Sequence, residues 1–121
     1  MAHILLVDDE EPVRAFLKRG LEMDGHAVET AENGSDALEL LGAEGATYDL
    51  LVTDIRMPIM DGIALALAAK REKPDLTILM MTGYAEQRER AKNLEAIVSD
   101  VLTKPFSLAD IREAVARALA R

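Results

Sequence analysis

Five short runs of mostly aliphatic residues recur along the chain, and a longer stretch with helical periodicity separates each run from the next. The runs are Ile4–Val7, Ala27–Ala31, Asp49–Thr53, Thr77–Thr82 and Asp100–Thr103. Continuous aliphatic runs of this length read as strands covered on both faces, and Ala27–Ala31 reads as a weaker strand. Between and after them, residues recur at helical spacing: Val13, Phe16, Leu17, Gly20 and Leu21, then Ala37, Leu38 and Leu41, and finally Leu108, Ile111, Val115, Ala118 and Leu119. Further helices are predicted over Ile63–Arg71 and Ala85–Leu94. The second of these is almost entirely charged and is expected to be the least anchored helix. Ser107, with Asp110 three residues on, is expected to cap the last one. Strict alternation of strand and helix predicts an α/β fold, a doubly wound five-stranded parallel sheet with helices on both faces. Ligands of such sheets bind beyond the C-terminal ends of the strands, where the strand order reverses.

A chain of 121 residues, half of them apolar, suffices for one domain with a substantial core, taken here as 1–121. Its few aromatics, Phe16, Tyr48, Tyr84 and Phe106, leave that core to aliphatic side chains. The absence of cysteine rules out a disulfide framework and a thiolate metal site. A net charge of −8 opposes binding to nucleic acid and to anionic membrane surfaces. No stretch approaches the roughly 18–20 apolar residues of a membrane span, and Met1–Leu6 lacks the basic region of a signal peptide. A cytoplasmic location is expected.

The polar residues that end the strands carry the chemistry. Asp8 and Asp9 follow the first run, Asp54 ends the third, Thr82 the fourth, and Lys104 follows the fifth. A parallel sheet brings all five to one edge. Close carboxylates repel one another and demand a cation, and oxygen donors without His or Cys favour a hard ion such as Mg²⁺ or Mn²⁺. Beside it Asp54 can act as an oxygen nucleophile and form an aspartyl phosphate. Lys104 can neutralise a phosphoryl oxygen and the Thr82 hydroxyl can hydrogen-bond one. Singly, each residue has a plainer reading. Asp8 and Asp9 suit the positive end of the first helix, Asp54 suits a turn, Lys104 an ordinary solvated lysine, and threonines are common at strand ends. Their convergence favours the site. His3 and His26 fall away from this edge and read as surface or packing residues, and the Met80–Met81 pair reads as core.

Taken together, Ile4-Leu5-Leu6-Val7-Asp8-Asp9, Thr53-Asp54-Ile55-Arg56-Met57-Pro58 with Met60-Asp61-Gly62, Thr82-Gly83 and Leu102-Thr103-Lys104-Pro105-Phe106 resemble the receiver domain of bacterial two-component response regulators, over essentially the whole chain. The resemblance implies the flavodoxin-like strand order 2-1-3-4-5, for which a receiver is itself a standard example. It implies that Asp54 is the phosphoacceptor. Asp8 and Asp9 would hold Mg²⁺, with Asp9 the direct ligand, and the backbone carbonyl of Arg56 would be a third ligand. Thr82 would be the switch hydroxyl, Lys104 the phosphoryl-binding lysine, and Lys104–Pro105 a cis bond. The family is a phosphoacceptor with Mg²⁺-dependent self-phosphorylation and self-dephosphorylation, not an enzyme in its own right. Its partners are a histidine kinase or a histidine phosphotransfer protein, and it would be a monomer or weak dimer.

The chain also departs from the family. Most relatives carry an aromatic three residues before the lysine, where this chain has Val101, and Ile97-Val98 replaces a usual Gly-Ala. Arg56 and Tyr84 fall at variable positions flanking the site, where their bulk is expected to shield an acyl phosphate from water. Val101-Leu102 before Thr103-Lys104-Pro105-Phe106, and the run Thr82-Gly83-Tyr84-Ala85, are similar to small stand-alone receivers of the CpdR type. Those are phosphorylated through a histidine phosphotransfer relay, and their unphosphorylated form assists the ClpXP protease. With Arg121 as the last residue, output is expected by protein–protein contact, as protease adaptor, phosphorelay intermediate or kinase regulator. A metal-dependent phosphatase similar to the haloacid dehalogenase family is a rival. That family sets its second Asp two residues after the nucleophile on the first strand, whereas here the first-strand acids are adjacent and Arg56 stands two after Asp54. A receiver-like module that is never phosphorylated is a second rival.

Overall fold

The computed structural model describes residues 2–94 and 96–120, with residues 85–87 described by backbone alone. Its strands are β1 (His3–Val7), β2 (Ala27–Ala31), β3 (Leu50–Asp54), β4 (Thr77–Thr82) and β5 (Asp100–Thr103). Its helices are α1 (Glu11–Glu22), α2 (Gly34–Gly42), α3 (Gly62–Glu72), α4 (Ala85–Lys92) and α5 (Leu108–Leu119). The strands form one sheet in the order β2-β1-β3-β4-β5, and every neighbouring pair is parallel. The chain is therefore doubly wound, and the order reverses between β1 and β3.

Alternation along each buried strand divides the core. Ile4, Leu6, Leu50, Val52, Leu79 and Met81 face α1 and α5, where they meet Leu17, Leu21, Ile111 and Val115. Leu5, Val7, Leu51, Ile78 and Met80 face the other layer, with Ala37 and Leu41 of α2, Leu65 and Ala69 of α3, and Ala91 of α4. Each fully buried Leu or Ile contributes about 1.5–3 kcal/mol relative to exposure, so both layers are needed to hold the sheet.

Side-chain caps set the starts of α2, α3 and α5. Asn33 accepts from the Asp36 N–H, Asp61 accepts from the Ala64 N–H, and Ser107 with Asp110 forms a reciprocal capping box. The start of α3 lies close against the sheet. The Gly62 N–H donates to the Ile55 carbonyl at 2.7 Å, and a Cβ at Gly62 would lie 2.1 Å from the Asp54 carbonyl oxygen. No helix among the described residues is long and apolar enough to cross a membrane.

Several sequence expectations need correction. β3 runs one residue later than expected, because Asp54 itself pairs with Met81 while Asp49 turns its carboxylate to the His3 N–H. The fourth helix ends at Lys92 rather than Leu94, whose carbonyl instead accepts from Ile97 and Val98 in a turn. Phe16 is exposed to 55%, because the inward face of α1 belongs to Leu17, Gly20 and Leu21.

Candidate functional site

The C-terminal strand ends meet around Asp54. Its carboxylate is nearly buried. Oδ1 accepts from the Ile55 N–H at 3.0 Å, and Oδ2 lies 3.2 Å from Lys104 Nζ. Lys104 comes from the end of β5, where its N–H donates to the Thr82 carbonyl and the following Lys104–Pro105 peptide is cis. Its ammonium also faces Asp8 Oδ2 at 3.6 Å. Asp8, directly after β1, is fully buried. Its Oδ1 accepts from the Glu10 N–H at 2.9 Å, while no hydrogen-bond donor among the described residues reaches Oδ2.

The electrostatics follow from burial. Loss of water pushes the Asp54 carboxyl above its usual range and outweighs the Lys104 charge, while Asp8 pushes it further the same way. Burial pulls Lys104 down, but Asp54 and Asp8 together outweigh it and hold the lysine above its usual value. One ammonium is thus shared by two carboxylates, which leaves the pocket short of positive charge.

The donor set fits a hard divalent cation. Carboxylate oxygens of Asp8, Asp9 and Glu10 lie within 4.8 Å of one another, and Asp8 Oδ2 is a buried carboxylate oxygen without a hydrogen-bond donor. A cation of this kind takes all-oxygen ligands. Glu10 is the residue that sequence reading passed over; only its place in the acidic run Asp8–Glu11 signalled it. Asp9, Glu10, Asp54, Arg56, Gly83, Tyr84 and Lys104 line one open cleft of about 500 Å³.

Thr82 lies at this edge, and its hydroxyl is engaged by the Tyr84 backbone. Its hydroxyl accepts from the Tyr84 N–H at 3.1 Å and faces the Tyr84 carbonyl at 3.4 Å. Arg56 and Tyr84 flank the cleft together, with the guanidinium 4.7 Å from the ring centroid. Val101 pairs with Met80 and is partly buried beside Ile97 and Val98, so aliphatic groups occupy the region where a ring was expected. His3 and His26 sit at the opposite end of the sheet. His3 stacks on Tyr48 and bonds the Thr47 carbonyl, while His26 accepts from the Ala2 N–H.

The family model of the response regulator receiver domain matches residues 4–116. The response regulator MprA of Mycolicibacterium vanbaalenii is 38% identical over 108 residues, which are 89% of this chain and 46% of that protein. The chain thus spans about half the length of the curated relatives it matches. A crystal structure of a receiver domain protein from Clostridium thermocellum superposes with a TM-score of 0.90 at 26% identity, covering 100% of this chain and 96% of that one. The response regulator TrrA of Thermotoga maritima, in complex with Mg²⁺ and beryllium fluoride, superposes with a TM-score of 0.87 at 33% identity, covering 98% of this chain and 100% of that one.

Proposed function

Since the chain belongs to the response regulator receiver family of two-component systems, we propose that Asp54 accepts a phosphoryl group from the phosphohistidine of a kinase or phosphotransfer protein. A carboxylate oxygen of Asp54 attacks phosphorus. The phosphorus–nitrogen bond of the donor breaks, and its electron pair stays on the histidine nitrogen. The Ile55 N–H orients the carboxylate, and Lys104 neutralises charge on the phosphoryl oxygens. Mg²⁺ or Mn²⁺, held by Asp8, Asp9, Asp54 and the Arg56 carbonyl, supplies the remaining charge neutralisation when bound.

The observation that carries this reading is the Asp54 carboxylate, desolvated and held between the Ile55 N–H and Lys104, beside an Asp8 oxygen that lacks a donor. Acetyl phosphate with Mg²⁺ should add one phosphoryl mass to the wild type and none to Asp54→Ala; an unmodified wild type would refute it. The chain is a phosphoacceptor rather than a phosphatase, since Arg56 occupies the position where the phosphatase family sets an acid. Steady turnover of a phosphate monoester would contradict that.

Phosphorylation changes partner affinity at the face built from α4, β5 and α5, in the cytoplasm. The runs around Thr82 and Lys104 support a protease adaptor of the CpdR type, acting on ClpXP when unphosphorylated. Protease subunits should then be recovered with Asp54→Ala and not with the phosphorylated wild type; equal recovery would favour a phosphorelay intermediate or kinase regulator. Arg56 and Tyr84 shield the acyl phosphate, so replacing both by alanine should shorten its lifetime.

A further inference from the structure

Beyond shielding the acyl phosphate, the Arg56 side chain has no part in the transfer, yet Arg56 lines the cleft with Asp54 and Lys104. Its guanidinium is stacked on Tyr84, 4.7 Å from the ring centroid. Tyr84 is tied a second time through its backbone to the Thr82 hydroxyl. It is also the N-cap of α4 and gives that helix no side-chain cap. Besides the Arg88 N–H on its carbonyl, the contacts that hold Tyr84 thus come from two residues of the phosphoryl site.

Tyr84 is 47% exposed, and a cation on an exposed aromatic residue is held weakly. A phosphoryl group on Asp54 offers the same guanidinium charged oxygens in a geometry that its planar fork matches, a much stronger interaction. We propose that Arg56 is a second phosphoryl-binding cation, parked on Tyr84 until Asp54 is phosphorylated, and that its transfer releases the Tyr84 ring. This rests on Asp54 being the acceptor. It places the aromatic that responds to phosphorylation at the entry to α4, in a chain where position 101 holds a valine.

The test is a calorimetric titration with beryllium fluoride and Mg²⁺, a mimic of the phosphoryl group. Arg56→Ala should weaken binding. Tyr84→Ala removes the competitor for Arg56 and should tighten binding about two- to fivefold, the size of an exposed cation–π contact. The double variant should bind like Arg56→Ala, and Tyr84→Phe, which keeps the ring face, like the wild type. Unchanged or weaker binding by Tyr84→Ala overturns the proposal, as does tightening that persists without Arg56. A wild type that fails to bind the mimic overturns the phosphoacceptor reading and this proposal with it, whereas a binding wild type with independent single effects overturns this proposal alone. A second readout uses the scarcity of fluorophores: Tyr48→Phe leaves Tyr84 as the sole tyrosine in a chain without tryptophan. The mimic should then make Tyr84 fluorescence more readily quenched by acrylamide, and unchanged quenching contradicts release of the ring.

Discussion

Replacing Gly62 by alanine sets two effects of opposite sign against each other at the hinge between fold and site. In a helix, alanine is favoured over glycine by up to about 1 kcal/mol. Here, however, the new Cβ would lie 2.1 Å from the Asp54 carbonyl oxygen and 2.9 Å from Ile55 Cα. Both are backbone atoms at the end of a buried strand, so no side-chain rotation relieves the overlap. Ordinary contact begins at 3.4 Å, which leaves a shortfall of about 1.3 Å. Relief requires lifting α3 off β3 and stretching the Gly62–Ile55 hydrogen bond. Overpacking of this kind costs about 1–3 kcal/mol and occasionally more; an overlap with backbone atoms belongs at the upper end, so the clash should win by about 2 kcal/mol. That lowers the melting temperature by roughly 5–10 °C for a domain of this size. The displaced atom belongs to Asp54 itself, and a shift of about 1 Å in a reacting group can cost on the order of a hundredfold in rate. Thermal unfolding and the rate of phosphorylation by acetyl phosphate, measured on the same protein, should therefore fall together. A Gly62→Ala protein with wild-type or higher melting temperature would refute the close approach of α3 to the phosphoacceptor strand.

Three further outcomes follow from the same geometry. Ile59 is exposed and β-branched, yet has φ of 72° in a tight turn closed by the Met60 N–H on the Pro58 carbonyl; Ile59→Gly should stabilise the fold by about 0.5–1 kcal/mol in urea unfolding. Because burial raises the Asp54 carboxyl in the folded state, its ionisation opposes folding above the folded pKa, and this penalty vanishes as pH falls to the ordinary value of 3.8. Without divalent cations Asp54→Ala should thus be more stable than the wild type at neutral pH, by a margin that shrinks on acidification; a margin that grows with acid would contradict the sign. With Mg²⁺ at about a hundred times its dissociation constant, the wild type should gain about 2.7 kcal/mol of stability, and Asp9→Asn should lose most of that gain in a thermal-shift titration.

The sheet was legible because β1, β3 and β4 are largely aliphatic runs buried almost throughout, while the edge strands β2 and β5, only partly buried, follow from the regular alternation with helices. The bounds of β2, β4 and β5 were readable to the residue, and convergence of Asp8, Asp54 and Lys104 follows from parallel pairing alone. Hydroxyl partners were not legible. Thr82 sits at the expected edge, but whether its hydroxyl turns to Asp54 or to the Tyr84 backbone depends on the turn that follows it. Phe16 was misleading because it lies about 90° around α1 from the centre of the buried face set by Leu17, Gly20 and Leu21. The Arg56–Tyr84 contact joins two loops far apart in sequence, and neither loop carries a periodicity from which it could be read. Glu10 was masked by its neighbours, since an acidic run does not reveal which carboxylates turn toward a common point.

The proposed site of phosphorylation is the Asp54 carboxylate. Borohydride reduces an aspartyl phosphate to homoserine, so peptide mass mapping after phosphorylation and reduction identifies the acceptor directly. Homoserine should appear at position 54, dependent on Mg²⁺ and absent when the phosphodonor is omitted. Homoserine at Asp8 or Asp9, or none at any position in a protein that has gained a phosphoryl group, would contradict it.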